Sequence, residues 1–236
     1  MASSTAKGTF WRGARDALPF LLVVAPFALL FGVVATEAGL DVVETFAFSF
    51  LVIAGAAQFA ALQQMSENAP TIIVILTALA VNLRMAMYSA SLLPWLGPAP
   101  LWKRAVIAYF NTDQTYAMGI AEFEKRPQMS LSQRVAYFLG LAAPVAPTWY
   151  AMTLVGALAG QRIPPEFALD FAMPITFIAV VAPMLRTLAH VAAAASSVVA
   201  ALALGFMPYN AGLLVAAAVA MAVGAQTEIW LERRRA

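Results

Sequence analysis

Five consecutive polar residues, Asn111-Thr112-Asp113-Gln114-Thr115, stand in the middle of a 17-residue segment (105–121) that is otherwise largely apolar. At about 100° per residue, five residues go right round a helix, so no rotation turns all of them away from an apolar solvent. Either protein encloses this helix on every side, or the helix unwinds here around a wet cavity. Asp113 is ionisable, and an ionisable group at such a depth is costly unless paired or hydrated, which makes it a functional-site candidate. The competing reading is a polar knot that ties helices together.

That the solvent is lipid follows from composition. Of the 236 residues 62% are hydrophobic and 11% charged, against about 25% charged in a soluble domain. The few charges cannot cover a water-facing surface. Lys and Arg lie mostly in loops and at the ends, which reads as a topology signal rather than a nucleic-acid footprint. Cysteine is absent, excluding a disulfide framework and thiol chemistry. One histidine and no clustered ligands argue against a metal centre, and no cofactor is expected. An intramembrane enzyme would need a Ser–His or paired-Asp arrangement at depth. No G-x-S-x-G occurs, and Asp113 and Asp170 share no motif.

The expected class is an all-α polytopic membrane protein of seven or eight spans. A polar, basic N-terminal tail (1–16) precedes span 1 at 17–36, with Pro26 at its middle. Span 2 (45–63) holds Gln58 after a run of small residues, and span 3 (70–93) holds Asn82 and Arg84. Arg84 lies nine residues from the nearer end of span 3, roughly 14 Å and too far for easy snorkelling. It should therefore face the interior, with Asp113 in span 4 as counter-charge. A hydrophilic loop (122–134) precedes span 5 (135–160), which carries Pro144, Pro147 and the small-residue run Gly156 to Gly160. Spans 6 (167–185, with Asp170), 7 (187–206) and 8 (209–227) follow, and a basic tail closes the chain. Arg186 and His190 share a helix face near the start of span 7 and read as interface anchors.

Eight spans with the N-terminus inside put ten Lys and Arg inside against three outside (Lys103, Arg104, Arg162). A re-entrant span 3 gives six against seven, so full crossing is preferred and both termini are expected in the cytoplasm. Lys103 and Arg104 remain an exception to the charge rule. A weak internal repeat appears at an offset of 121, placing Ala25-Pro26 on Ala146-Pro147 and Phe46–Phe50 on Phe167–Phe171. The expected halves are 17–124 and 135–231, joined by a cytoplasmic loop at 125–134, with 232–236 as the tail. Weak halves and interrupted helices are characteristic of secondary transporters; Pro26 and Pro147 are the expected interruptions.

Three runs carry a resemblance: Phe50 to Phe59 with Gln58; Val81-Asn82-Leu-Arg84-Met-Ala-Met-Tyr88-Ser; and Thr112-Asp113-Gln114-Thr115-Tyr116. In this order they resemble the AzlC-type branched-chain amino-acid permeases, the large subunits of the LIV-E exporters. Met85 and Gln114 depart from the His and Glu common at those places. The resemblance implies an exporter of valine, leucine and isoleucine in the bacterial inner membrane, with methionine as a further candidate solute. It also implies a small AzlD-type membrane subunit as partner, and protons are a candidate coupling ion. An amino acid needs an anion for its ammonium, donors for its carboxylate and an apolar pocket. Asp113 suits the first or the coupling proton, and Arg84 with Asn82 or Gln58 the second; Gln114 and Tyr88 complete the candidate set. The alternatives are a carrier of another small apolar solute and a structural Arg84–Asp113 pair.

Overall fold

The computed structural model describes residues 5–162, 185–207 and 212–235, and every regular element among them is helical. The chain is an all-α polytopic membrane protein. Four of its helical stretches are long and apolar enough to cross a bilayer, counting Ala6–Glu37 as one. Large apolar side chains such as Leu22, Leu83 and Met87 stand on the surface, as expected where lipid replaces water.

Residues 5–58 and 81–162 form one compact unit; 59–80, 185–207 and 212–235 belong to a second. In the first unit, α1 (Ala6–Ala17) is capped by Thr5, whose hydroxyl accepts from the Gly8 N–H. It passes through a 3-10 turn at Leu18–Phe20 into α2 (Leu21–Glu37). Much of the expected N-terminal tail is therefore ordered helix. Its stripe Thr9, Gly13 and Ala17 is buried, and a Cβ on Gly13 would strike the backbone of Tyr137. Helix α8 (Leu131–Gly160) lies along this whole length. Gly140 meets Phe10, Trp149 meets Phe27 and Phe31, Gly156 meets Leu29 and Gly32, and Gly160 meets Thr36. The paired numbers rise together, so α1–α2 and α8 run parallel, brought close by the glycines of the expected small-residue run. Gly32 packs on the carbonyl of Thr153, a separation of 153 − 32 = 121, the offset of the sequence repeat.

Between these come α3 (Val42–Leu51), α4 (Gly55–Ser66), α5 (Thr71–Leu96), α6 (Leu101–Tyr109) and α7 (Asp113–Lys125). Span 3 is one continuous helix through Arg84. Spans 2 and 4, by contrast, are each broken in two, at 52–54 and 110–112. The expected interruptions at Pro26 and Pro147 are corrected by this: both lie inside unbroken helices, as does Pro144. A proline removes one donor and strains one carbonyl, but in a long apolar helix flanked by packed turns those losses stay local. Helices stop instead where side chains compete for the backbone. At 110–112 the Thr112 hydroxyl accepts from the Thr115 N–H, and the Thr115 hydroxyl accepts from the Thr112 N–H, closing a capping box.

The two halves of span 4 run in opposite directions. Four residues join α5 to α6, a length that makes antiparallel neighbours, and the Asn111 amide reaches back to Ser89. Helix α7 then pairs with α5 in rising order: Asp113 with Arg84 and Tyr88, Tyr116 with Ser91, Phe123 with Trp95. The core of this unit gathers Phe123, Phe138, Leu141 and Trp149 around α8.

In the second unit α9 (Leu188–Ala203) packs on α10 (Gly212–Arg235), with Ala193 against Gly224. Helix runs on through Arg234, whose guanidinium lies 3.7 Å from the Trp230 ring centroid. Residues 167–184 of span 6, with Asp170 and the Phe167–Phe171 part of the repeat, lie outside the described residues.

Candidate functional site

The site forms where α7 begins. Asp113 is the first residue of that helix, where unsatisfied N–H groups favour an anion. Its Oδ2 lies 3.2 Å from Arg84 Nη1, and its Oδ1 accepts from the Tyr88 hydroxyl at 3.0 Å. Arg84 and Tyr88 share a face of α5 at i and i+4. The side chains stay open to the exterior, Arg84 at 26% exposure and Asp113 at 44%. Thus the pair is neither sealed in the core nor free in solvent.

A flat aromatic wall stands beside it. Tyr88 and Tyr116 stack with centroids 4.1 Å apart and planes 7° from parallel, and Tyr116 donates to Ser91 at 3.1 Å. On the other side of the break, Asn111 is buried and donates to Ser89 at 3.3 Å, while Ser89 donates to the Met85 carbonyl. Asn111 Oδ1 and Arg84 Nε are buried without a hydrogen-bond partner. Asn111 also ends a cavity of about 320 Å³ between α5 and α6, walled by Leu92, Leu93, Leu96 and Ile107. Spare polar groups beside an apolar hollow are what a small amphipathic solute requires.

Of the candidates, Arg84, Tyr88 and Asp113 come together. Gln114 is the next residue of α7 and half-buried. Asn82 precedes Arg84 by two positions and so faces another way on the helix; its Oδ1 is buried with no partner. Gln58 belongs to a different constellation. It is fully buried and donates to Ser49 Oγ at 3.1 Å. Trp149 Nε1 donates to the same oxygen at 3.2 Å, so Ser49 gives its own proton to Thr153, 3.1 Å away. Pro26 and Pro147 stand within α2 and α8, and Pro147 lines a small apolar hollow beside Phe110. His190 is exposed in the first turn of α9, its N–H donating to the capping Thr187 hydroxyl.

Tyr116, Asn111, Ser89 and Ser91 join the site without having been singled out for it. A periodic signal was available. Arg84, Tyr88, Ser91 and Trp95 form one stripe at helical spacing, and Asp113, Tyr116 and Phe123 form its mate on α7.

Residues 19–163 match the AzlC family, described as "AzlC protein". The chain is 29% identical over 175 residues to the "Inner membrane protein YgaZ" of Escherichia coli, covering 72% of this chain and 70% of that one. An "Uncharacterized membrane protein" of Archaeoglobus fulgidus is 29% identical over 224 residues, 93% of this chain and 95% of its own. Another of that description from Helicobacter pylori is 26% identical over 72% of this chain and 74% of its own. No solved structure matches.

Proposed function

This chain belongs to the AzlC family of membrane proteins, and from that premise we propose that it is a secondary transporter exporting branched-chain amino acids. Valine, leucine and isoleucine are the solutes, with methionine as a further one, and a small AzlD-type membrane subunit is the partner. The proposed location is the bacterial inner membrane, as in the name of the Escherichia coli relative.

The observation that carries this reading is the Arg84–Asp113 pair at a broken helix, 3.2 Å between charged atoms and half open. A zwitterion presents an ammonium and a carboxylate on neighbouring atoms, so it can replace each partner of such a pair at once. Asp113 takes the ammonium, with Tyr88 and Tyr116 offering a π-face beside it. Arg84 takes the carboxylate, its unpaired Nε adding a second donor for a bidentate contact. The branched side chain then enters the apolar cavity beside Asn111. When no solute is bound, the pair closes on itself and spares the protein two uncompensated charges at depth. Asp113 also suits a coupling proton, since protonation releases Arg84 in the same way.

Counterflow in proteoliposomes preloaded with valine, leucine or methionine, with and without the small subunit, tests the proposal. Exchange in the wild type and its loss in inserted, folded Asp113→Asn is the expected result. Absence of exchange for every solute in both preparations overturns the substrate. Loss of insertion in Asp113→Asn instead makes the pair structural.

A further inference from the structure

Helices α6 and α7 have 9 and 13 residues, and neither can cross a hydrocarbon core that needs about 20. They could cross only if joined end to end, yet α6 descends along α5 and α7 climbs back. The contacts that fix this are Asn111 with Ser89 at one end, and Phe123 with Trp95 at the other. Arg134, at the start of α8, caps the same end: its guanidinium lies 4.9 Å from the Trp95 ring centroid. Arg12 of α1 reaches Glu122 at 2.6 Å there as well. The starts of α1, α6 and α8 and the ends of α5 and α7 therefore share one end of this unit.

Residues at the break 52–54 turn back in a similar way from the opposite end. Helix α3 leaves α2 after a four-residue turn and descends beside it, Phe48 against Phe31 at 5.8 Å and then Gly55 against Phe27. By Gln58 the chain has risen again to the level of Ser49. The two breaks touch. Tyr109, last residue of α6, donates to the Phe50 carbonyl and lies 2.7 Å from the Tyr150 hydroxyl, which donates to it in turn. The Phe50 carbonyl is in the last turn of α3, where carbonyls lack helical partners.

We propose that α6–α7 is a re-entrant hairpin that enters and leaves on one membrane face. Its tip meets a second hairpin, 41–58, entering from the other face, and Tyr109 ties the two tips together. Asp113 then sits at a hairpin tip about 18 Å from the helix end at Lys125, near the middle of the bilayer. The arrangement also resolves the charge exception. Lys103 and Arg104 fall on the face that holds Lys7, Arg12, Arg15, Lys125, Arg126 and Arg134, while Arg162 falls on the other. Such segregation follows the positive-inside rule. The inference is independent of which solute is carried.

The chain has no cysteine, so single cysteines report cleanly. In oriented vesicles, a membrane-impermeant maleimide should label Lys103→Cys and Lys125→Cys from the same face, and Glu37→Cys from the other. Pro98→Cys, exposed in the α5–α6 turn, repeats the first of these should Lys103→Cys fail to insert. Labelling of the 103 or 98 position and the 125 position from opposite faces overturns the hairpin. For the tie between the tips, Ala54→Cys lies buried in the other break. Adding Tyr109→Phe should raise its reaction with a small water-soluble thiosulfonate several-fold. An unchanged rate overturns the role of Tyr109.

Discussion

The chain breaks its helices twice within one compact unit, and the two breaks are chemical opposites. Around 52–54 every polar group is uncharged, and Ser49, Gln58 and Thr153 are fully buried. Ser49 uses its proton and its lone pairs at once, accepting from Gln58 and Trp149 and donating to Thr153. Around 110–112 the groups are charged, half open and only partly matched, with Arg84 Nε and Asn111 Oδ1 left unpaired. Ser49 is buried with its full set of bonds made, and although Gln58 Oε1 beside it has no partner, exchanging any of the bonds to Ser49 strands a further polar atom. An open ion pair with spare groups beside it can change partners at little cost. We therefore propose the second break as the solute site and read the first as the joint that holds α3 and α4 to α8.

Asp113→Asn is the change expected to act most strongly on transport, and on transport more than on folding. The matching assault on the first break is Ser49→Ala, which should do the reverse. It removes three hydrogen bonds and strands the Gln58 amide and the Trp149 indole N–H in the interior. Hydrogen bonds within membrane proteins contribute about 0.6 to 1.7 kcal/mol each, so the loss should total roughly 2 to 4 kcal/mol once stranded donors are included. Thermal unfolding in detergent should show it as a Tm lower by several degrees, with exchange retained in the protein that remains folded. If Ser49→Ala abolishes exchange at unchanged Tm, the contrast between the breaks fails and Gln58 returns to the solute site.

The sequence carried the class, the pairing of Arg84 with Asp113 and the small-residue run on α8, because each follows from hydropathy, charge or spacing alone. It also left two possibilities for the polar run at 111–115, and unwinding is the one observed. The helix directions were not legible. A span of about 20 apolar residues and two short helices folded back on each other have the same hydropathy. Only contacts such as Asn111 with Ser89 and Tyr116 with Ser91 separate them. The proline expectation went astray for a local reason. Pro26 and Pro147 take away hydrogen bonds one at a time, whereas Thr112 and Thr115 supply a rival set of bonds that ends the helix. Gln58 was open to either reading because a side-chain amide at depth looks the same in sequence whether it meets a solute or a serine.

A smaller effect is expected from Tyr88→Phe. The ring stays stacked on Tyr116, and only the hydroxyl that donates to Asp113 is lost. Water can replace that donor in part, since Asp113 is 44% exposed. Half-saturation for the exchanged amino acid should weaken by roughly three- to tenfold, corresponding to about 1 kcal/mol, with Tm little changed. An effect as large as that of Asp113→Asn would mean that the hydroxyl, rather than the carboxylate, is what the solute meets.

Pro147→Ala should do least. In an ordinary helix a proline costs the bond to the carbonyl four residues back, here that of Ala143, and alanine would restore the donor. Because α8 is continuous through this position and Val145, Ala146 and Trp149 around it are buried, the substitution has no break to mend. Exchange should stay within about a factor of two, less than 0.5 kcal/mol, and Tm should hold or rise slightly. The proline interruption model requires the contrary: a straightened α8, a lost cavity and abolished exchange. Comparing Pro147→Ala with Thr112→Ala in one preparation decides where the functional discontinuity lies. Thr112→Ala removes a helix cap worth about 1 kcal/mol, and it does so next to Asp113. If exchange follows Thr112 and ignores Pro147, the chain works through the break made by hydroxyls.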